Sequence, residues 1–243
     1  MRNRTWKGIV FAWIIAGVAI PITAQSVGGG ISVFVPLSMF QAEEGSVGFE
    51  TAFETSLGLG KLLSLPLGVA YNQVWGLEPA GTLTDGTTDL VTSGPWFYSD
   101  SLLTYLMLKA HVPVGPLYLE LFGGGALNWN IALRPLDGRM ASDLREAGVI
   151  GSGGTATAVD NLEITEGSVG WGWTGGAGLG VQVGQISVDL NATYRHIFHN
   201  LTLEGDWFDN AGGTGSFNTS TGFEDFTVLL QGFSIGISGS YAM

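Results

Sequence analysis

From Trp173 to Val183 the chain alternates strictly between two kinds of residue. Trp173, Gly175, Ala177, Leu179, Val181 and Val183 fall on one side. Thr174, Gly176, Gly178, Gly180 and Gln182 fall on the other. After Gly184-Gln185 the alternation resumes, with Ile186, Val188, Leu190, Ala192 and Tyr194 opposite Ser187, Asp189, Asn191, Thr193 and Arg195. A period of two residues is that of a β-strand. The pair therefore predicts a hairpin over Trp171–His199. Its polar face carries an acid and an arginine deep in a strand, behind a band of lipid-like side chains. That combination is expected of a transmembrane hairpin lining a lumen.

The same grammar recurs along the chain. It predicts strands over Gly30–Met39, Ser46–Leu59, Leu62–Trp75, Trp96–His111, Leu117–Leu133 and Asp225–Tyr241. In the second of these, Val47, Phe49, Thr51, Phe53, Thr55 and Leu57 alternate with Gly48, Glu50, Ala52, Glu54 and Ser56. In the fourth, Leu102, Thr104, Leu106 and Leu108 face out, and Leu103, Tyr105, Met107, Lys109 and His111 face in. In the fifth, Leu117, Leu119, Leu121, Leu127, Trp129 and Ile131 face out, and Tyr118, Glu120, Phe122, Asn128 and Asn130 face in. Pro36 suits a strand end or bulge rather than a central ladder position. With the opening hairpin the total is eight strands. The expected fold is all-β, a transmembrane antiparallel up-and-down β-barrel.

Connection lengths alternate too. Gly60-Lys61, Val112–Pro116 and Gly184-Gln185 are short turns. The stretches 76–95, 134–168 and 200–224 are long, rich in Gly, Thr and Asp, and read as loops, with a short helix at Asp143–Glu146. Gln41–Gly45 is an intermediate acidic loop. Short turns at one end and long loops at the other are what an outer-membrane barrel requires. An even strand count leaves both termini on the periplasmic side. Trp75, Trp96, Trp129, Trp171 and Trp173 all lie at strand ends bordering long loops. They predict an aromatic girdle at the outer headgroup level; ordinary packing is the other account.

No stretch is apolar for the roughly 18 residues that a membrane helix needs. Arg2, Arg4 and Lys7 precede an apolar run from Ile9 to Ile20, and Pro21 and Ile22-Thr23-Ala24 follow. This is the pattern of a secretory signal peptide with cleavage after Ala24, leaving residues 25–243 as one barrel domain. Without those three basic residues, 6 Lys+Arg stand against 21 Asp+Glu, a net charge of −15. Nucleic acid is thereby excluded as a partner, because phosphate binding needs a basic footprint. With no Cys there are no disulfides or thiolate metal sites. The expected location is the outer membrane, with membrane lipid and the barrel-assembly machinery as partners.

Candidate chemistry concentrates in the expected lumen. Glu50, Glu54, Glu120 and Asp189 face Lys109 and Arg195, with His111 near a turn. Buried charges must pair or stay hydrated. The set reads either as structural ion pairs filling a narrow barrel or as a polar gate across a pore. Glycines at 172, 176, 178, 180, 232 and 236 on inner faces either leave a passage or permit coiling and close packing against large neighbours. Sixteen of the 21 acids fall in the loops: Glu43, Glu44, Glu78, Asp85, Asp89, Asp137, Asp143, Glu146, Asp160, Glu163, Glu166, Glu204, Asp206, Asp209, Glu224 and Asp225. They form a solvated surface or attract basic partners, and none has calcium-loop spacing. Arg195-His196 resembles the opening of a lipid A deacylase motif, but Phe198 stands where that motif has serine. No catalytic residue, metal site or cofactor is assigned, and no enzyme is expected.

Residues 166–203, EGSVGWGWTGGAGLGVQVGQISVDLNATYRHIFHNLTL, resemble the outer-membrane protein W family of small barrels. The shared order is a loop, a Trp-Gly pair, a small-residue strand, a tight turn and a strand ending in an aromatic-rich stretch. The chain departs from the family in ending Tyr241-Ala242-Met243 rather than in Phe. The resemblance implies a narrow, partly apolar channel for small hydrophobic compounds. Two functions follow as expectations. One is a channel or pocket for small hydrophobic molecules. The other is a closed scaffold presenting acidic loops to host or envelope partners. Eight strands are too few for a wide aqueous pore.

Overall fold

The structure is a computed structural model that describes residues 26–36, 47–60, 62–77, 79–80, 83–84, 89–90, 96–135, 139–146, 156–209, 212–218 and 227–243. The expected signal peptide lies outside them, as do Glu43, Glu44, Glu78, Asp85, Asp137, Glu224 and Asp225.

Alternation of apolar and polar residues produces long strands here because each face meets a different medium. In chain order the strands are β1 (Ser26–Pro36), β2 (Val47–Gly58), β3 (Leu63–Leu77), β4 (Pro79–Ala80), β5 (Leu83–Thr84), β6 (Asp89–Leu90), β7 (Phe97–Val114) and β8 (Leu117–Pro135). Helix α1 (Arg139–Glu146) follows, then β9 (Ala156–Glu166), β10 (Val169–Val183), β11 (Ile186–Asn200), β12 (Thr202–Asp209), β13 (Thr214–Asn218) and β14 (Thr227–Ala242). Among the described residues, β1, β2, β3, β7, β8, β10, β11 and β14 pair in that order, all antiparallel, and β1 pairs back onto β14. The sheet is closed, so these eight strands leave no free edge. The fold is the expected antiparallel β-barrel.

The side-chain parity follows the sequence pattern. Ile31, Phe49, Leu106, Leu121, Leu179, Leu190 and Ile237 are all exposed on the outer wall. Their inward neighbours are buried or half-buried. Exposure of such large side chains in so continuous a band marks a surface that faces something other than water. No helix among the described residues is long and apolar enough to cross a membrane.

The tight turns sit at one end. Gly115 and Gly184 have φ of 65° and 64°, a left-handed conformation that glycine adopts without steric cost. The two ends of the barrel chain meet at the same end, where the Ala242 amide donates to the Gln185 carbonyl at 2.8 Å. Pro36 is the last residue of β1, opposite Gly232, where its missing N–H costs no ladder bond.

Three expectations change. The first strand begins at Ser26 rather than Gly30, and residues 37–39 of its expected span lie outside the described residues: its Gly28-Gly29-Gly30 run pairs regularly with Ser240, Gly239 and Ser238. Partner strands set this boundary, and glycine's weak strand preference gave no sign of it. Second, the stretches 134–168 and 200–224 are not plain loops. They contain β9, β12 and β13, which form a separate three-stranded sheet in the order β13-β12-β9. Third, the helix is a full eight residues, and Met140 and Leu144, one turn apart, are both fully buried. These additions cover the long-loop end of the barrel.

Candidate functional site

The inward side chains form three layers along the axis. Nearest the turns is a polar cavity of about 840 Å³. Its wall is built from inward positions of β1, β2, β7, β8, β11 and β14, including Glu54, Lys109, Glu120 and Asp189. Lys109 Nζ lies 3.5 Å from Glu54 Oε1 and 3.3 Å from Glu120 Oε2. His111 Nδ1 lies 3.0 Å from Glu120 Oε1, and Ser64 Oγ sits 3.1 Å from His111 Nε2. The Tyr118 hydroxyl donates to Asp189. Spacing of two residues along β7 places Lys109 and His111 on the same face as Glu120 of the adjacent β8, and His111 pairs directly with Glu120 in register.

The middle layer is a charged bar. Arg195 Nη2 donates to Glu50 Oε2 at 2.6 Å, and Nη1 to Asn72 Oδ1 at 3.3 Å. The guanidinium lies over the Phe34 ring, 5.5 Å from its centroid. Arg195 is only 3% exposed. Glu50 and Asn72 bond its two Nη atoms and Phe34 lies against its face, while Nε has no hydrogen-bond partner among the described residues.

Above the bar lies an apolar cluster beside buried polar side chains. Phe34, Val74, Leu103, Ile197 and Leu230 are each at most 2% exposed, as are Ser99, Ser101, Asn128 and His199. Higher still, Trp96 and Phe97 are completely buried, as are Met140 and Leu144 of α1. Trp96 Nε1 donates to Asp143 Oδ2 at 2.6 Å and so latches the helix to the barrel end. His199 is buried between Asn128 (3.0 Å) and Asn130 (3.1 Å). A neutral imidazole presents one donor and one acceptor, so one of these amides faces it through oxygen.

The structure thus brings Glu54, Lys109 and Glu120 together, places Asp189 on the same cavity, and sets Glu50 with Arg195 one layer higher. Of the expected girdle, Trp75, Trp171 and Trp173 are exposed on the outer wall, and Trp129 is half-buried. Trp75 packs on Phe49 and Tyr98, and Trp173 on Tyr194 and His196. Trp96 does not belong to the girdle. It lies just before β7, and its indole turns under α1 toward Asp143, a partner 47 residues away. His196 faces out among aromatics and His199 faces in, so strand parity separates the two histidines.

Sequence reasoning missed Asp100. It sits on the outer wall at the loop end, accepts from Tyr71 at 3.0 Å and Gln73 at 3.2 Å, and pairs with Arg134 at 3.4 Å. Odd parity on β3 and even parity on β7 could have revealed the cluster, but only once the two strands were known to be neighbours. The acids expected in loops are also more ordered than a loop implies. Asp160 and Glu163 lie on β9, and Glu204 and Asp206 on β12. Glu204 is directly opposite Glu163, and Asp206 opposite Asp160.

The inner glycines serve mainly for close approach. A Cβ at Gly180 would collide with the Tyr118 ring and Asp189, and one at Gly68 with the Tyr105 ring. These large side chains fill the space that glycine vacates.

No family model matches the chain, and no curated protein matches it. Solved outer-membrane barrels do. The outer membrane protein OprG from Pseudomonas aeruginosa aligns over 91% of this chain and 97% of its own, at 12% identity and a TM-score of 0.51. A major outer membrane protein from Thermus thermophilus covers 89% of this chain and 99% of its own, at 11% identity and a TM-score of 0.41. Ail, the attachment invasion locus protein of Yersinia pestis, covers 89% and 95%, at 10% identity and 0.30. At such identity the likeness to OprG bears on fold alone, and the two lower scores add no argument. The chain has the fold of an outer-membrane β-barrel.

Proposed function

We propose that this chain is a closed outer-membrane barrel whose loop end carries a folded, acidic interaction surface. The observation that carries this reading is the buried bar across the lumen. Arg195, Glu50 and Asn72 meet between the turn-end cavity and the buried side chains Phe34, Val74, Ile197 and Leu230. The ion pairs then act as struts filling a narrow barrel. The outer sheet points to a role for that end. Like charges set directly opposite each other across strands destabilise a sheet, and although Asn161 and Asn218 donate to Asp206 and Glu204, no cation pairs with these acids among the described residues. A basic partner would relieve that repulsion on binding. In this reading residues 1–24 are a cleaved export signal, the turns and strand ends Ser26 and Ala242 face the periplasm, and the loop end faces outward. Membrane lipid and the barrel-assembly machinery are its obligate partners.

A second reading is favoured by one observation. The loop-end half of the lumen carries an apolar cluster (Phe34, Val74, Leu103, Ile197, Leu230) beside the His199–Asn128–Asn130 network. A barrel of the outer-membrane protein W family would use such a lining to admit small hydrophobic molecules after α1 moves aside.

Recording from the purified protein in planar bilayers separates the two. The first reading expects no unitary currents at any voltage, and no accelerated entry of an apolar dye into protein-loaded vesicles. Resolved conductance steps would overturn it. Dye entry without ion current would favour the second.

A further inference from the structure

We propose that the turn-end cavity is a binding pocket for a small organic dication, a compound with two ammonium groups joined by a short methylene chain. The proposal goes beyond the function above and does not depend on the outer sheet.

Charge is the first argument. Four carboxylates line the cavity (Glu50, Glu54, Glu120 and Asp189), against the two fixed cations Lys109 and Arg195. Arg195 is taken by Glu50 at 2.6 Å. Lys109 is shared between Glu54 and Glu120. Asp189, 5% exposed, has no ion-pair partner among the described residues and accepts only from the Tyr118 hydroxyl. Four carboxylates against two fixed cations leave a formal excess of two negative charges. Unpaired charge on a side chain as buried as Asp189 is costly without a counter-charge.

Acceptors short of donors are the second argument. Asn191 Oδ1 is buried and receives no hydrogen bond among the described residues. Glu120 Oε2 faces one ammonium, Lys109 Nζ at 3.3 Å, which it shares with Glu54. Asn191 and Glu120 both line the cavity. Surplus acceptors call for a ligand that brings N–H donors.

Shape decides between a metal ion and an organic cation. Among the described residues no three acidic or His side chains converge closely enough to hold a metal ion. The acids are instead spread over the walls of an 840 Å³ space that also offers Tyr105, Met107 and Phe122. Separated charges with apolar surface nearby match two ammonium heads on a methylene stem.

The test is calorimetric titration of the full-length protein, in zwitterionic detergent, with putrescine as the probe. Saturable one-to-one binding is expected, with none for 1,4-butanediol, which has the same length and no charge. Asp189→Asn, close to isosteric, weakens binding by at least about tenfold. Glu54→Gln, on the opposite side of Lys109, does the same and serves if the first variant fails to fold. The double variant D160N/E204Q on the outer sheet leaves binding unchanged. Absence of saturable binding, equal binding of the diol, or loss of binding in D160N/E204Q but not in D189N or E54Q would each overturn the proposal.

Discussion

Replacing Arg195 with methionine probes the charged bar across the lumen. Met keeps much of the side-chain volume and removes the charge. The partner Glu50 then keeps only the Ser32 hydroxyl, 3.4 Å away, in a layer where its own side chain is 11% exposed. An unpaired carboxylate so placed costs about 3–5 kcal/mol. Loss of the Arg195 contact with the Phe34 ring adds about 1 kcal/mol. Glu50→Gln strands the guanidinium instead, with Asn72 and Phe34 as its remaining partners, and costs a similar amount. The double variant R195M/E50Q buries no charge at the bar. Its cost should fall well below the sum of the singles, with a coupling energy of about 2 kcal/mol or more. Urea unfolding in lipid vesicles, followed by tryptophan fluorescence, measures all three against the parent. If the singles each cost under about 1 kcal/mol and simply add, the bar is hydrated, and the closed-barrel reading fails with it.

Other perturbations test other layers. Gly180→Val drives a side chain into Tyr118 and Asp189 and should destabilise the barrel by about 1–3 kcal/mol in the same unfolding assay; a neutral result would mean the Tyr118 ring is free to swing away. Trp96→Phe leaves Asp143 without its indole donor, at a cost of about 1–3 kcal/mol. Amide exchange in α1 should then accelerate while exchange in β10 and β11 stays slow; unchanged α1 protection would refute the latch. Leu190→Arg, on the exposed outer wall, should cost about 2–4 kcal/mol in bilayers if it lies near the midplane. An equal, small cost in bilayer and detergent would argue that this face does not meet hydrocarbon.

Much of this barrel is written in local alternation. The opening hairpin pairs Trp173 with His196 and Val183 with Ile186, along the register that the Gly184-Gln185 turn implies. Short-range rules suffice there, because a two-residue turn aligns its strands and a period of two assigns their faces. They also put Glu50, Glu54, Lys109, Glu120, Asp189 and Arg195 on inner faces.

What alternation cannot supply is which inner residue meets which. Arg195 and Glu50 are 145 residues apart and meet across the lumen, not along a ladder. Asp189 meets the Tyr118 hydroxyl, 71 residues away, a contact set by the pairing of β8, β10 and β11. Trp96 had every sequence mark of a girdle residue, and a helix that begins only at Arg139 buried it. The β9–β12–β13 sheet joins two stretches whose compositions each read as loop. Face and strand are properties of neighbouring residues, so the chain alone determined them. Cross-lumen pairing and the charge excess of the cavity depend on distances across the barrel, and only closure of β1 onto β14 decided those.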